Sequence, residues 1–199
     1  MHVAKIDFQE FYSPAFSTPA EIRAFLEHAQ GTAIGVSPAT RILHQAARMI
    51  WLGDQLEPVA ASRPALQVLF YLIAAEASAK LLRGFADEGQ SRAHVRLFFE
   101  EICSDQHRLA LVSGFRLASH AGIAPIRAVV DLLYDIRCDV VHEGRYFEFQ
   151  MQEPGEPPCI SGVRDEVITV RMSIRDLRQV VLEGAVRAAR QAMGSESVP

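Results

Sequence analysis

Cysteine is scarce in this chain: three residues among 199, with no CxxC pair, which leaves no disulfide framework to read. The start of the sequence lacks the charged-then-apolar pattern of a secretory signal, so a reducing cytoplasm is the expected location. Long hydrophobic runs are missing as well. The longest, from Ala65 to Ala75, already contains Gln67 and stops at Glu76, short of the roughly 20 residues that cross a bilayer, so no membrane span is expected. There is no excess of basic charge: 20 Lys and Arg stand against 24 Asp and Glu, a formal charge of -4. A nucleic-acid partner would therefore need a local basic patch and not a global field. No Gly-rich phosphate loop, GxSxG or HExxH occurs, so the common cofactor enzymes find no support and no cofactor is expected. Internal repeats, low-complexity tracts and long linkers are also lacking, which predicts one domain over residues 1–199.

What the chain does have is apolar content, 49% of its residues, enough for one sizeable core. Phe8, Phe11, Tyr12 and Phe16 follow no clear period, so residues 1–16 are expected to form an irregular arm whose aromatics pack on the body. Thr18-Pro19-Ala20-Glu21 and Ser37-Pro38 are helix starts, predicting helices to about Gln30, before Gly31 and Gly35, and to about Gly53. A third helix is expected from Pro64 to near Gly84, behind Ser62 as a cap, with so little polar surface that it reads as central. A polar break at 87–90 precedes Ser91, expected to cap a helix through about Cys103; a shorter piece follows at 106–112. Pro125 to His142 closes on Gly144, which suits the left-handed position past a helix end. The period then changes. Tyr146–Met151 and Val167–Met172 read as two strands, a β-hairpin within an insertion over 145–172. Ser173 and Asp176 start a last helix to Met193, and 194–199 are expected to fray. The expected class is all-α, with that one hairpin before the final helix.

The helix from Ile126 to His142 carries the functional argument. Ile126, Val129, Val130, Leu133, Val140 and Val141 gather on one side at about 100° per residue, and Arg137 falls in the middle of that side. An arginine there must snorkel, pair with a buried acid, or face a cleft or partner, because an unpaired buried guanidinium is costly. His142 lies five positions on, about 140° around an ideal helix, so the two share no face of one straight helix. They meet only through an unwound last turn at Glu143-Gly144 or through a second copy across a two-fold axis.

The stretch LYDIRCDVVHEG, Leu133 to Gly144, resembles the signature of the HEPN superfamily, in particular its Apea-like branch: arginine, four residues, histidine, at the end of the last core helix. The Leu-Tyr before the arginine and the glycine after the histidine are similar too. The resemblance implies an up-and-down helical bundle that forms a homodimer, with Arg137 and His142 of both copies lining a shared cleft. It implies a metal-independent endoribonuclease, related to toxin or defence systems, with RNA and an antitoxin or other protein as partners. Tyr134, Asp139 and Glu76 would support the pair. The chain departs from the pattern at Cys138, where catalytic members often carry Asn, Asp or His, so a non-catalytic nucleotide- or protein-binding module stays open as an alternative.

Glu76 is the only carboxylate between Pro64 and Arg83. It can pair with Lys80 one turn later, or with Arg137, which would orient the guanidinium. Cys103 with His107, and Cys138 with His142, form two C-x3-H pairs that would make a zinc site if their helices met, giving a third reading as a zinc-stabilised helical protein. Arg175, Arg178, Arg187 and Arg190 read as a solvated face, with Arg187, Arg190 and Arg171 as a local phosphate-attracting patch.

Overall fold

A computed structural model describes residues 6–31, 36–58, 63–84 and 89–195. The expected stop at Gly35, the cap at Ser62, the break at 87–88 and residues 196–199 of the tail lie outside them. Within the described residues the chain forms α1 (Phe8–Tyr12), a 3-10 turn (Ser13–Ala15), α2 (Pro19–Gln30), α3 (Pro38–Asp54) and α4 (Pro64–Arg83). α5 (Ser91–Leu97), a π-helical turn (Phe98–Ile102), α6 (Asp105–Gly114), β1 (Phe115–Leu117) and α7 (Ile126–Glu143) follow. β2 (Cys159–Val163), β3 (Glu166–Val170) and α8 (Ile174–Ser195) complete the order. The protein is mostly helical with a small antiparallel sheet, ordered β1-β3-β2, which corrects the all-α expectation.

The helix starts follow the capping chemistry of the sequence. Thr18 accepts from the Glu21 N–H, and Glu21 accepts in turn from the Ser17 N–H. Ser37 accepts from the Thr40 N–H. Ser173 and Asp176 bond each other's backbone N–H, a complete capping box. Ser91 behaves differently: it is the first residue of α5, and its hydroxyl donates to Glu76 Oε1 at 2.7 Å. The N-terminal arm is also helical where an irregular segment was expected. Asp7 caps α1, and Tyr12 buries its ring and donates to the Leu43 carbonyl at 2.6 Å. The aromatics do pack on the body, with Phe8 stacked on His44.

α4 is the centre, packed against α3, α7 and α8. By length and composition alone it is also long and apolar enough to cross a bilayer. One fully buried line holds Ala65, Val68, Leu72, Ala75 and Ala79, at alternating steps of three and four. The larger Leu66, Leu69, Phe70 and Ile73 are only half-buried. The alanines on this line let neighbouring helices approach α4 closely. A similar close approach occurs at Gly184 of α8, where a Cβ would land on the Phe98 ring and 3.1 Å from Cys103 Sγ. Gly184→Ala is expected to cost about 1–3 kcal/mol by overpacking. Thermal unfolding followed by circular dichroism should show a Tm lower by roughly 3–10 °C.

The sheet departs most from expectation. β3 matches the second predicted strand, but its hairpin partner is Cys159–Val163, joined through the two-residue turn Arg164-Asp165, with Arg164 at φ 53°. β1, which precedes α7, pairs with the other edge of β3. Tyr146–Met151 is not a strand. Its Phe149 and Met151 point inward, but the segment is tied down by Gln150 N–H to Ser161 Oγ and Gln152 N–H to the Met172 carbonyl instead of by a ladder. Apolar alternation provided the inward side chains without a free strand edge to pair with.

Candidate functional site

α7 places Arg137 against α4. Its side chain is 18% exposed, and Nη2 lies 3.6 Å from Glu76 Oε2, an ion pair beyond hydrogen-bond length. The guanidinium carbon sits 5.2 Å from the centre of the Tyr134 ring. Nε is buried and has no acceptor among the described residues. Both partners weighed for Glu76 are present, since its Oε1 also receives Lys80 Nζ at 2.5 Å. Burial pushes the Glu76 carboxyl up; the hydrogen bonds from Lys80 and Ser91, with the charges of Lys80 and Arg137, outweigh that and hold it below its usual range.

Tyr134 is half-buried and raised in pKa chiefly by burial, with the Arg137 charge opposing. A second cation, Arg92, lies 4.7 Å from the same ring. Asp139 does not face Arg137. It is buried and accepts from Nε and Nη2 of Arg164, both at 3.1 Å, so it anchors the β2–β3 turn to α7. This pair belongs to a ladder along α7: Arg96 holds Asp131, Arg92 and Arg164 hold Asp135, and Arg164 holds Asp139. The ladder was not read from the sequence, although three aspartates four residues apart on one helix were the available signal. Asp139→Ala removes one of the two acids that hold Arg164, leaving Asp135, and loosens the turn. Because Arg164 is 44% exposed, the expected cost is about 1–2 kcal/mol, read as a lower urea midpoint.

His142 is exposed at the end of α7 and makes no hydrogen bond or ion pair with a described residue. α7 stays helical through Glu143, and Gly144 adopts the left-handed conformation (φ 66°, ψ 15°) with its N–H on the Asp139 carbonyl. The last turn is therefore wound, and one copy keeps Arg137 and His142 on different sides of α7, about 7.5 Å apart along its axis. Near His142 in sequence, Val141, Tyr146 and Phe147 are exposed apolar side chains, the two rings in edge contact.

The zinc arrangement is not assembled. Cys103 is buried, its thiol pushed up to about 12 by burial; His107 Nε2 is held by Glu183 Oε2 at 2.7 Å. Cys138 interacts with Tyr134. Among the described residues no group of three or more His, Cys, Asp or Glu is placed to hold a metal ion. The expected basic face of α8 is also revised. Arg178 pairs with Asp54, Arg187 donates to the Ile102 carbonyl, and Arg190 stacks on Phe16 and Phe25. Arg187 and Arg190 are thus engaged with the body, and Arg171 lines a pocket with Asp176 and Glu183, so the three are not a free basic patch. Comparison of the chain with protein-family models, with curated proteins and with solved structures gave no match.

Proposed function

We propose that the protein is a metal-independent endoribonuclease of HEPN type, whose site is completed by a second copy of the chain. The observation that carries this reading is Arg137: a largely buried guanidinium on an apolar helix side, steadied at its Nη2 end by Glu76 and against Tyr134, with Nε unsatisfied. Buried donors are nearly always paired, so such a group suits an anion that arrives with substrate. Arg137 would hold two oxygens of an RNA phosphodiester and stabilise the charge that grows on them. A neutral histidine near pH 7 can take the proton from the ribose 2′-hydroxyl. That oxygen attacks the phosphorus, the bond to the 5′-oxygen breaks, and the leaving oxygen takes a proton, giving a 2′,3′-cyclic phosphate and a 5′-hydroxyl.

Support for the second copy comes from the wound last turn of α7 and the exposed Val141, Tyr146 and Phe147 near His142 in sequence. Apolar residues grouped at a surface favour a protein interface. The non-catalytic alternative, a nucleotide- or protein-binding module on the same surface, is favoured by one observation: no described residue orients the His142 imidazole. RNA incubated with the purified protein in excess chelator decides between them. Cleavage by the wild type, with 2′,3′-cyclic phosphate ends and loss in His142→Ala, supports the ribonuclease; equal RNA retention by both proteins without any cut product leaves the binding module.

A further inference from the structure

α3 carries Arg41, His44 and Arg48 at positions i, i+3 and i+7, and all three are exposed on one face. From Pro38 to Gly53 the helix contains no carboxylate. Most other described arginines are engaged: Arg92, Arg96, Arg127, Arg137, Arg164 and Arg178 each have an acidic partner. Arg41 and Arg48 have no acidic partner and no side-chain hydrogen bond among the described residues. They face a groove between α3 and α4 of about 390 Å³, lined by Arg41, His44, Gln45 and Arg48 on one side and Ala77 and Leu81 on the other. The one carboxylate of α4, Glu76, is already held by Lys80, Ser91 and Arg137.

Grouping cations without acids, in a chain whose net charge is -4, raises local self-repulsion that no ion pair among the described residues relieves. The stacking of His44 on Phe8 at 4.4 Å fixes the floor between the two arginines. Burial, then the Arg48 charge, lowers the His44 pKa, as expected in a positive field. We propose that this groove binds the phosphate group of a ligand, separately from the Arg137–His142 site. Arg41 and Arg48 lie about 10.5 Å apart along α3, and their long side chains converge on one phosphate from above and below His44. Gln45 offers an amide to a sugar hydroxyl, and Ala77 with Leu81 form an apolar wall for the rest of the ligand. The phosphate can come from a free nucleotide or from an RNA chain, and the test separates these sources.

AMP and adenosine are titrated calorimetrically into the whole protein at low salt. A labelled single-stranded oligoribonucleotide with 2′-O-methyl sugars, which cannot be cut, is titrated by anisotropy. Each probe is repeated on the Arg41→Gln, Arg48→Gln double variant, whose Tm should match the wild type because both side chains are exposed. AMP binding, with adenosine about tenfold or more weaker and a loss of about tenfold or more in the variant, identifies a nucleotide site. Such a loss for the oligonucleotide alone identifies the RNA backbone as the phosphate source. If neither phosphate probe loses affinity in the variant, or neither binds the wild type, the proposal is overturned.

Discussion

His142→Ala is expected to slow RNA cleavage by about 10²–10⁴-fold, the range that a positioned general acid or base contributes. Fold stability should hardly move. The side chain is exposed and holds no described neighbour, so its largest structural contribution is a favourable charge at the C-terminal end of α7, worth about 0.3–1 kcal/mol when protonated. The informative measurement is a pair: single-turnover cleavage of a defined RNA, and thermal unfolding of the same preparation. A slow, fully folded variant assigns His142 to the chemistry. Unchanged cleavage removes the assignment, since the step then does not depend on His142.

Glu76→Gln should have the largest effect on stability. The substitution leaves Lys80 and Arg137, whose side chains are 21% and 18% exposed, beside a neutral amide. Breaking a largely buried pair by removing one charge typically costs about 3 kcal/mol or more, which lowers Tm by roughly 6–12 °C in a chain of this size. The pH dependence has a definite sign. Because the folded-state carboxyl is held below its ordinary range, its stabilisation is present above that range and is lost as pH falls through it. The gap in Tm between wild type and variant should therefore narrow from about pH 7 toward pH 3. A gap that stays constant would mean that Glu76 acts through packing alone. RNA cleavage by the variant should also fall, because the Arg137 guanidinium loses the group that steadies it.

The link between Arg137 and Glu76 was legible in the sequence because each residue posed an electrostatic problem alone: a cation on an apolar stripe, and a single acid on a nearly apolar helix. Each constrained the other. The aspartate ladder was not legible in the same way, since its arginines come from α5 and from the β2–β3 turn, and only tertiary proximity pairs them. Capping residues gave most helix starts directly. Ser91 misled because the hydroxyl that suits a cap is drawn to a carboxylate on another helix. Phe98–Ile102 was hidden for a different reason: Val95, Phe98, Phe99 and Ile102 keep apolar spacing compatible with an α-helix, and packing decides the extra residue in the turn. β2 escaped notice because Pro157-Pro158, Ser161 and Gly162 weigh toward a loop, while its pairing with β3 is set by the turn at Arg164. β1 is only three residues long and gains its identity from β3.

The arginines along α7 also constrain how that helix can move. Asp131, Asp135 and Asp139 repeat at one position per turn, so a rotation of about 100° carries the acids away from their cations together. An advance of four residues, about 6 Å along the axis with about 40° of rotation, brings each aspartate to its neighbour's place and leaves only one end of the row unmatched. The charge pattern is stiff against spinning and comparatively permissive along the axis, like a toothed rack in its guide. Along α7 the pattern therefore favours steps of four residues over intermediate positions.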